Sequence, residues 1–196
     1  MACDIHLYVE TKRTVKEEKV WVSADLFILD PYDKGNLQQV ELHGNRNYNL
    51  FSTLAGVRDH TGKITPVSKP KGLPSDCCQY VRTQCEKWSG DGHTHSYLTL
   101  KELRDYQNSN PVLYESGLIT LNQAKELDEQ NKIPTSWCKW SIDDNFVYRE
   151  WPQPNLTLVP LIEKLEQRYQ LCFFYGHGVY NQKNDEDIRI VFWFDN

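Results

Sequence analysis

The sequence predicts an α+β fold: a mostly antiparallel sheet that includes both terminal strands, with several helices inserted between them. Three observations carry that expectation. Residues 1–10 alternate, with Ile5, Leu7 and Val9 on one side and Asp4, His6, Tyr8 and Glu10 on the other, which is the period of a half-buried strand. Residues 188–195 alternate in the same way, Ile188, Ile190, Phe192 and Phe194 against Arg189, Val191, Trp193 and Asp195. Between them lie two capping-box signatures, Thr99-Leu100-Lys101-Glu102 and Thr120-Leu121-Asn122-Gln123, and an amphipathic run over residues 156–169.

Taken in order, residues 11–19 are polar and charged and read as a turn region. An extended segment over residues 20–29 then allows a hairpin with a long tip. The stretch Asp-Pro-Tyr-Asp-Lys-Gly-Asn at 30–36 is dense in turn formers. Leu50, Phe51, Leu54 and Val57 fall at helical spacing, with Asn47 as cap and Gly56 near the end. Residues 58–74 hold three Pro and two Gly in a basic, polar stretch and read as a long loop of the kind that binds ligands. A second helix is expected from Ser75, with Tyr80, Val81, Cys85 and Trp88 inward, stopping at Ser89-Gly90. The capping boxes start a third helix running to about Asn108 and a fourth to about Gln130. The aromatic stretch from Trp137 to Trp151 has no clear period. Residues 156–169 form the strongest helix, with Pro160 confined to its first turn. A strand at 171–175 and the break Gly176-His177-Gly178 precede the last strand.

The chain has 196 residues, 39% hydrophobic and 25% charged, with a formal charge of −5. That length suits one domain over residues 1–196, with a helical insertion at roughly 75–130. The negative charge argues against a surface that grips long nucleic acid, because such affinity is largely phosphate neutralisation by Lys and Arg. A local basic pocket for a small phosphorylated ligand remains open. Residues 1–9 are interrupted by Asp4 and His6 and do not read as a signal peptide. No stretch approaches the ~20 apolar residues that span a bilayer, so a cytoplasmic protein is expected. The six Cys contain no CxxC pair and are expected to be thiols.

The chemistry-bearing residues fall in two segments. Asp4 and His6 share one face of the first strand, roughly 6.5 to 7 Å apart. The run Ser89-Gly90-Asp91-Gly92-His93-Thr94-His95-Ser96-Tyr97 reads as a glycine-flanked loop offering Asp91, His93 and His95. Converged, Asp4, His6, His93 and His95 would hold a divalent metal ion, with Asp91 and His93 as catalytic groups. The bland readings are a solvated sheet face and a solvated turn. His177 follows a strand end and is a fifth candidate, whereas His43 and His60 read as surface turns. Arg46, Arg58, Arg82 and Arg189 are candidates for a phosphate clamp. Arg189 leads them, because a guanidinium among apolar neighbours requires an anionic partner, for which Asp4 and Asp195 are the candidates.

Several segments together resemble a group of small proteins encoded by phages and prophages. They are Met-Ala-Cys-Asp4-Ile-His6-Leu-Tyr-Val-Glu10, Arg46-Asn47-Tyr48 with Leu50-Phe51, Ala55-Gly56-Val57-Arg58, Gly72-Leu73-Pro74, Asp91-Gly-His93 with Ser96-Tyr97-Leu98, and Arg189-Ile-Val-Phe-Trp-Phe-Asp195-Asn196. Within that group the position of Tyr8 is often His and that of His95 is often not. This ranks Asp4, His6, Asp91 and His93 above His95 as ligands. The resemblance implies a counter-defence role directed at a nucleotide second messenger of the host.

The expectation is a protein that recognises a small nucleotide-type ligand and inactivates it by metal-assisted phosphodiester hydrolysis. Arg46, Arg58 and Arg189 would hold the phosphates, and Tyr48 or Tyr97 would stack on a base. Two alternatives stand beside it. One is a non-catalytic sponge that buries the intact ligand, with a homo-oligomer as its setting. The other is a protein-protein inhibitor of a host factor that uses the aromatic stretch.

Overall fold

The computed structural model describes residues 3–33, 35–140, 143–153, 157–175 and 184–196, with the backbone alone at 173–175. The main sheet is antiparallel and contains both terminal strands, and the helices lie between them in the chain, an α+β fold as the sequence predicts.

Residues divide into two compact units. The first comprises Met1–Arg46, Val67–Ser109 and Leu158–Asn196, and the second Asn47–Pro66 and Asn110–Thr157. The first is built on a four-stranded sheet made of β1 (Ile5–Val15), β2 (Glu18–Ser23), β5 (His93–Thr99) and β8 (Ile188–Phe194), in the order β2-β1-β8-β5. A small hairpin of β3 (Phe27–Leu29) and β4 (Leu37–Gln39) joins it, with α2 (Gln79–Lys87), α3 (Leu100–Asn108) and α5 (Val159–Tyr175). The second unit holds α1 (Tyr48–Ala55), α4 (Leu121–Gln130) and the hairpin of β6 (Tyr114–Thr120) and β7 (Phe146–Pro152).

Strand β8 is buried along its whole length, so both faces of the sheet are covered. Ile188, Ile190, Phe192 and Phe194 point to one side, where α3 packs on β5, β8 and α5. Arg189, Val191 and Trp193 point to the other, where Tyr8, Val191 and Trp193 form a core with Cys77, just ahead of α2, and Val81 in its first turn.

Register fixes which side chains meet. In β1, Glu10 lies opposite Arg189 of β8, and Lys12 lies opposite Trp21 of β2. In β5, Thr99 lies opposite Arg189. The β1–β2 connection is a tight turn at Lys16 and Glu17, both at positive φ (48° and 72°), in place of the long tip expected. This is the primed turn that matches strand twist, adopted without Asn or Gly.

The first helix is capped as expected: Asn47 accepts from Leu50 N, and Gly56 takes the left-handed conformation at φ 73°. Both capping boxes form, at Thr99 with Glu102 and at Thr120 with Gln123. Pro160 sits in the first turn of α5. Three further expectations fail. Residues 93–97, part of the stretch 89–97 read as loop, belong to strand β5; residues 171–175, read as strand, continue α5; and α2 starts at Gln79 instead of Ser75. Position 177 lies outside the described residues. Among the described residues no helix is long and apolar enough to cross a membrane.

After β2 the chain stays tied to β1. Ala24 N donates to Val9 O at 2.8 Å, and Asp25 accepts from Val9 N and from Ser23 Oγ, each at 3.2 Å. Burial pushes the Asp25 carboxyl from the usual 3.8 up to about 6 against those hydrogen bonds. As pH rises, the unfolded chain gives up this proton first, so stability falls between about pH 4 and pH 6 and is level above. We expect Asp25→Asn to remove that fall. Its advantage over the native chain in urea unfolding should grow across this window to an amount on the order of 2–3 kcal/mol. Parallel pH profiles for the two proteins would contradict the assignment.

Candidate functional site

On the Arg189 side of the sheet, cations from the two central strands lie between aromatic rings from the two outer ones. Lys12 of β1 lies 4.9 Å from the ring centre of Trp21 in β2, and the Arg189 guanidinium carbon lies 3.9 Å from the same ring. Arg189 is also 5.4 Å from the ring of Tyr97 in β5, which holds Lys71 Nζ at 4.8 Å. Each spacing falls within the range of a cation–π contact. The register accounts for Lys12 against Trp21, since strand neighbours on one face of a sheet are the side chains that touch, whereas the Trp21 ring reaches past β1 to lie against Arg189. Lys71 comes from the 67–78 segment, which is tied to β5 by Lys71 N donating to Ser96 Oγ (3.2 Å) and Gly72 N donating to His95 O (2.9 Å).

This row lines a cleft of about 670 Å³, to which Pro74, Ser75 and Asp76 add a wall ahead of α2. Such a volume suits a small-molecule ligand. The rim also carries Lys101, Glu102, Asp105 and Glu186. Lys71 pairs with Glu102, Lys101 with Asp105, and Lys12 with Asp187 at 3.8 Å.

Arg189 is the fixed point of the cleft. Its Nε donates to Glu10 Oε2 at 2.7 Å, with the two side chains 4% and 0% exposed. The other Glu10 oxygen accepts from Cys78 N at 2.6 Å, which anchors the chain entering α2. Nη2 lies 2.9 Å from Asp76 Oδ1, close enough for an ion pair but not aligned as a hydrogen bond. Asp76 Oδ2 accepts from Trp21 Nε1 at 3.0 Å.

Of the ligand-binding residues expected from sequence, Tyr97 and Arg189 meet in this cleft, and the anionic partner of Arg189 is Glu10 in place of Asp4 or Asp195. Arg46, Tyr48 and Arg58 do not line it. Lys12, Trp21, Lys71 and Asp76 were not singled out by the sequence. Only the register set by the tight turn at Lys16 and Glu17 places Lys12 against Trp21.

The expected metal set does not assemble. The Asp4 carboxylate is gripped by Arg46, Nε to Oδ1 at 2.6 Å and Nη2 to Oδ2 at 2.7 Å, which holds its pKa below the usual value. His6 lies against Trp88, ring centres 3.9 Å apart, with Nε2 3.1 Å from Asp195 Oδ2. His6 and His95 both stack on Trp193, at 5.9 and 5.7 Å. Burial, with the nearby His93, lowers the pKa of His95. His93 instead stacks on Phe194, on the opposite side of the sheet, and its Nδ1 is 2.8 Å from Thr94 Oγ1. The cause is a bulge: between His93 and Ser96 the register slips, with Thr94 at φ 54°. Asp91 is exposed in the turn after α2, its N donating to Trp88 O. Asp4, His6, Asp91, His93 and His95 are therefore not one ligand sphere, and no group of three or more His, Cys, Asp or Glu among the described residues is placed to hold a metal ion.

Comparison of the chain with protein-family models, with curated proteins and with solved structures finds no match in any of the three.

Because Glu10 is the buried counter-charge of the cleft, Glu10→Gln should destabilise the protein by about 3–5 kcal/mol. Replacing the pair together, Glu10→Leu with Arg189→Met, should recover at least half of that loss. Urea unfolding of the single and double variants checks both, and a single variant as stable as the native chain would show that Asp76 suffices.

Proposed function

We propose that this protein is a binding protein that captures a small nucleotide-type ligand intact, holding its phosphate in the cleft around Arg189. The observation that carries the reading is the row Lys12, Trp21, Arg189, Tyr97 and Lys71 along one wall of an open cleft. Cations supply what a phosphate needs, and the rings offer apolar surface to a planar base. The acids on the rim set an upper limit on ligand charge. Asp76, Glu102, Asp105 and Glu186 line the cleft together with Lys12, Lys71, Lys101 and Arg189, and Glu10 and Asp187 pair with Arg189 and Lys12 besides, so a ligand of low charge suits it better than a triphosphate or a polynucleotide.

Sequestration is preferred over metal-assisted hydrolysis because the side chains expected to hold the ion are divided between two faces of the sheet and engaged with other partners. The likeness to phage- and prophage-encoded proteins extends the reading: the captured ligand is then a nucleotide signal of host immunity, and its removal a counter-defence act.

Incubation with a mixed pool of linear and cyclic nucleotides, followed by gel filtration, heating and chromatography, tests this. We expect a nucleotide to travel with the protein and to be released chemically unchanged. New products in the pool would favour hydrolysis. For the retained nucleotide, Lys12→Ala and Lys71→Ala should each weaken binding by about fivefold, with affinity falling as salt rises. Calorimetry showing neither effect would remove the cleft as the site.

A further inference from the structure

Arg189 has one carboxylate more than it needs. Glu10, with no exposure, already supplies the counter-charge that a buried guanidinium requires. Asp76 is different: its side chain is 63% exposed, it stands beside Nη2 without hydrogen-bond alignment, and its better bond is to Trp21 Nε1. This second acid makes the surroundings of Arg189 negative in a cleft otherwise suited to anions.

A carboxylate and a phosphate both present two oxygens at nearly the same spacing. Buried donors left without an acceptor are costly, and Asp76 supplies an acceptor to Trp21 Nε1 while standing beside Arg189 Nη2. We propose that Asp76 is a placeholder, and that an anionic oxygen pair of the ligand displaces its carboxylate and takes the same two positions. The backbone around it is already anchored, by Cys77 N donating to Pro74 O and Cys78 N to Glu10 Oε1, so the exchange needs only a side-chain rotation toward solvent. The inference rests on the reading of the cleft as an anion site and adds where in it the anion is seated.

Asp76→Asn keeps an acceptor for Trp21 and removes the charge, whereas Asp76→Ala removes both. The probes are inorganic phosphate and adenosine 5′-monophosphate, with calorimetry for affinity and ¹⁵N spectra for the indole N–H of Trp21, assigned with Trp21→Phe. Both Asp76 variants should bind the probes about tenfold more tightly than the native chain, the effect of removing a like charge at the seat. In the native protein the Trp21 indole resonance should move as phosphate is added. Equal or weaker affinity in both variants, or an unmoved indole resonance while calorimetry records binding, overturns the placeholder and leaves the cleft standing as a site. Absence of binding in all three proteins overturns the placeholder and the reading of the cleft together.

Discussion

The ion pair between Glu10 and Arg189 is the constraint on which the first unit depends. Removing two charges from water costs several kcal/mol apiece, so the pair persists only with close geometry. Glu10 meets this with one oxygen on Arg189 Nε and the other on Cys78 N. Arg189 lies over Trp21 and beside Asp76. A single contact thereby joins β1 to β8, sets where the chain turns into α2, and points a guanidinium into a cleft. The energetic demand of the pair and the shape of the cleft are one arrangement.

Much of the framework could be read from the residues. Strict alternation named β1 and β8 as neighbours in one antiparallel sheet, and the capping boxes at Thr99 and Thr120 placed α3 and α4, because both signals are local. Arg189 stood out for a physical reason, a charge among apolar neighbours, but its partner needed the register. Glu10 faces it only once β1 and β8 are aligned. Strand β5 was hidden by Gly90 and Gly92, which read as a loop. The close packing at Gly92 shows the use of that one: an added Cβ would meet Trp88 O at 3.0 Å and Trp193 Cδ1 at 3.2 Å. The turn at Lys16 and Glu17 lacks the residues that usually mark it, and with it went the meeting of Lys12 and Trp21.

The histidines show how a sound spacing rule can be defeated. Residues two apart share a strand face, which made His-x-His look like a pair of ligands. One extra residue at the bulge turned His93 onto the side of Phe194 and left His95 with Trp193. Asp4 and His6 kept the alternation of their strand, yet each is engaged where it stands, by Arg46 and by Asp195 with Trp88. In both segments the imidazoles serve as flat packing surfaces beside tryptophan and phenylalanine.

The pairing of β1 with β8 also orders events in time. Contacts such as Ile5 with Phe194 close a very long loop, and contacts of high sequence separation form late and slowly. On the ribosome β1 waits for every intervening element before its inner neighbour β8 emerges, with only β2 near it in sequence. Until then its apolar side chains Leu7 and Val9 lack the central strand of the sheet, and the cleft has no guanidinium. The cleft wall that carries the guanidinium thus forms only once β8 has paired with β1.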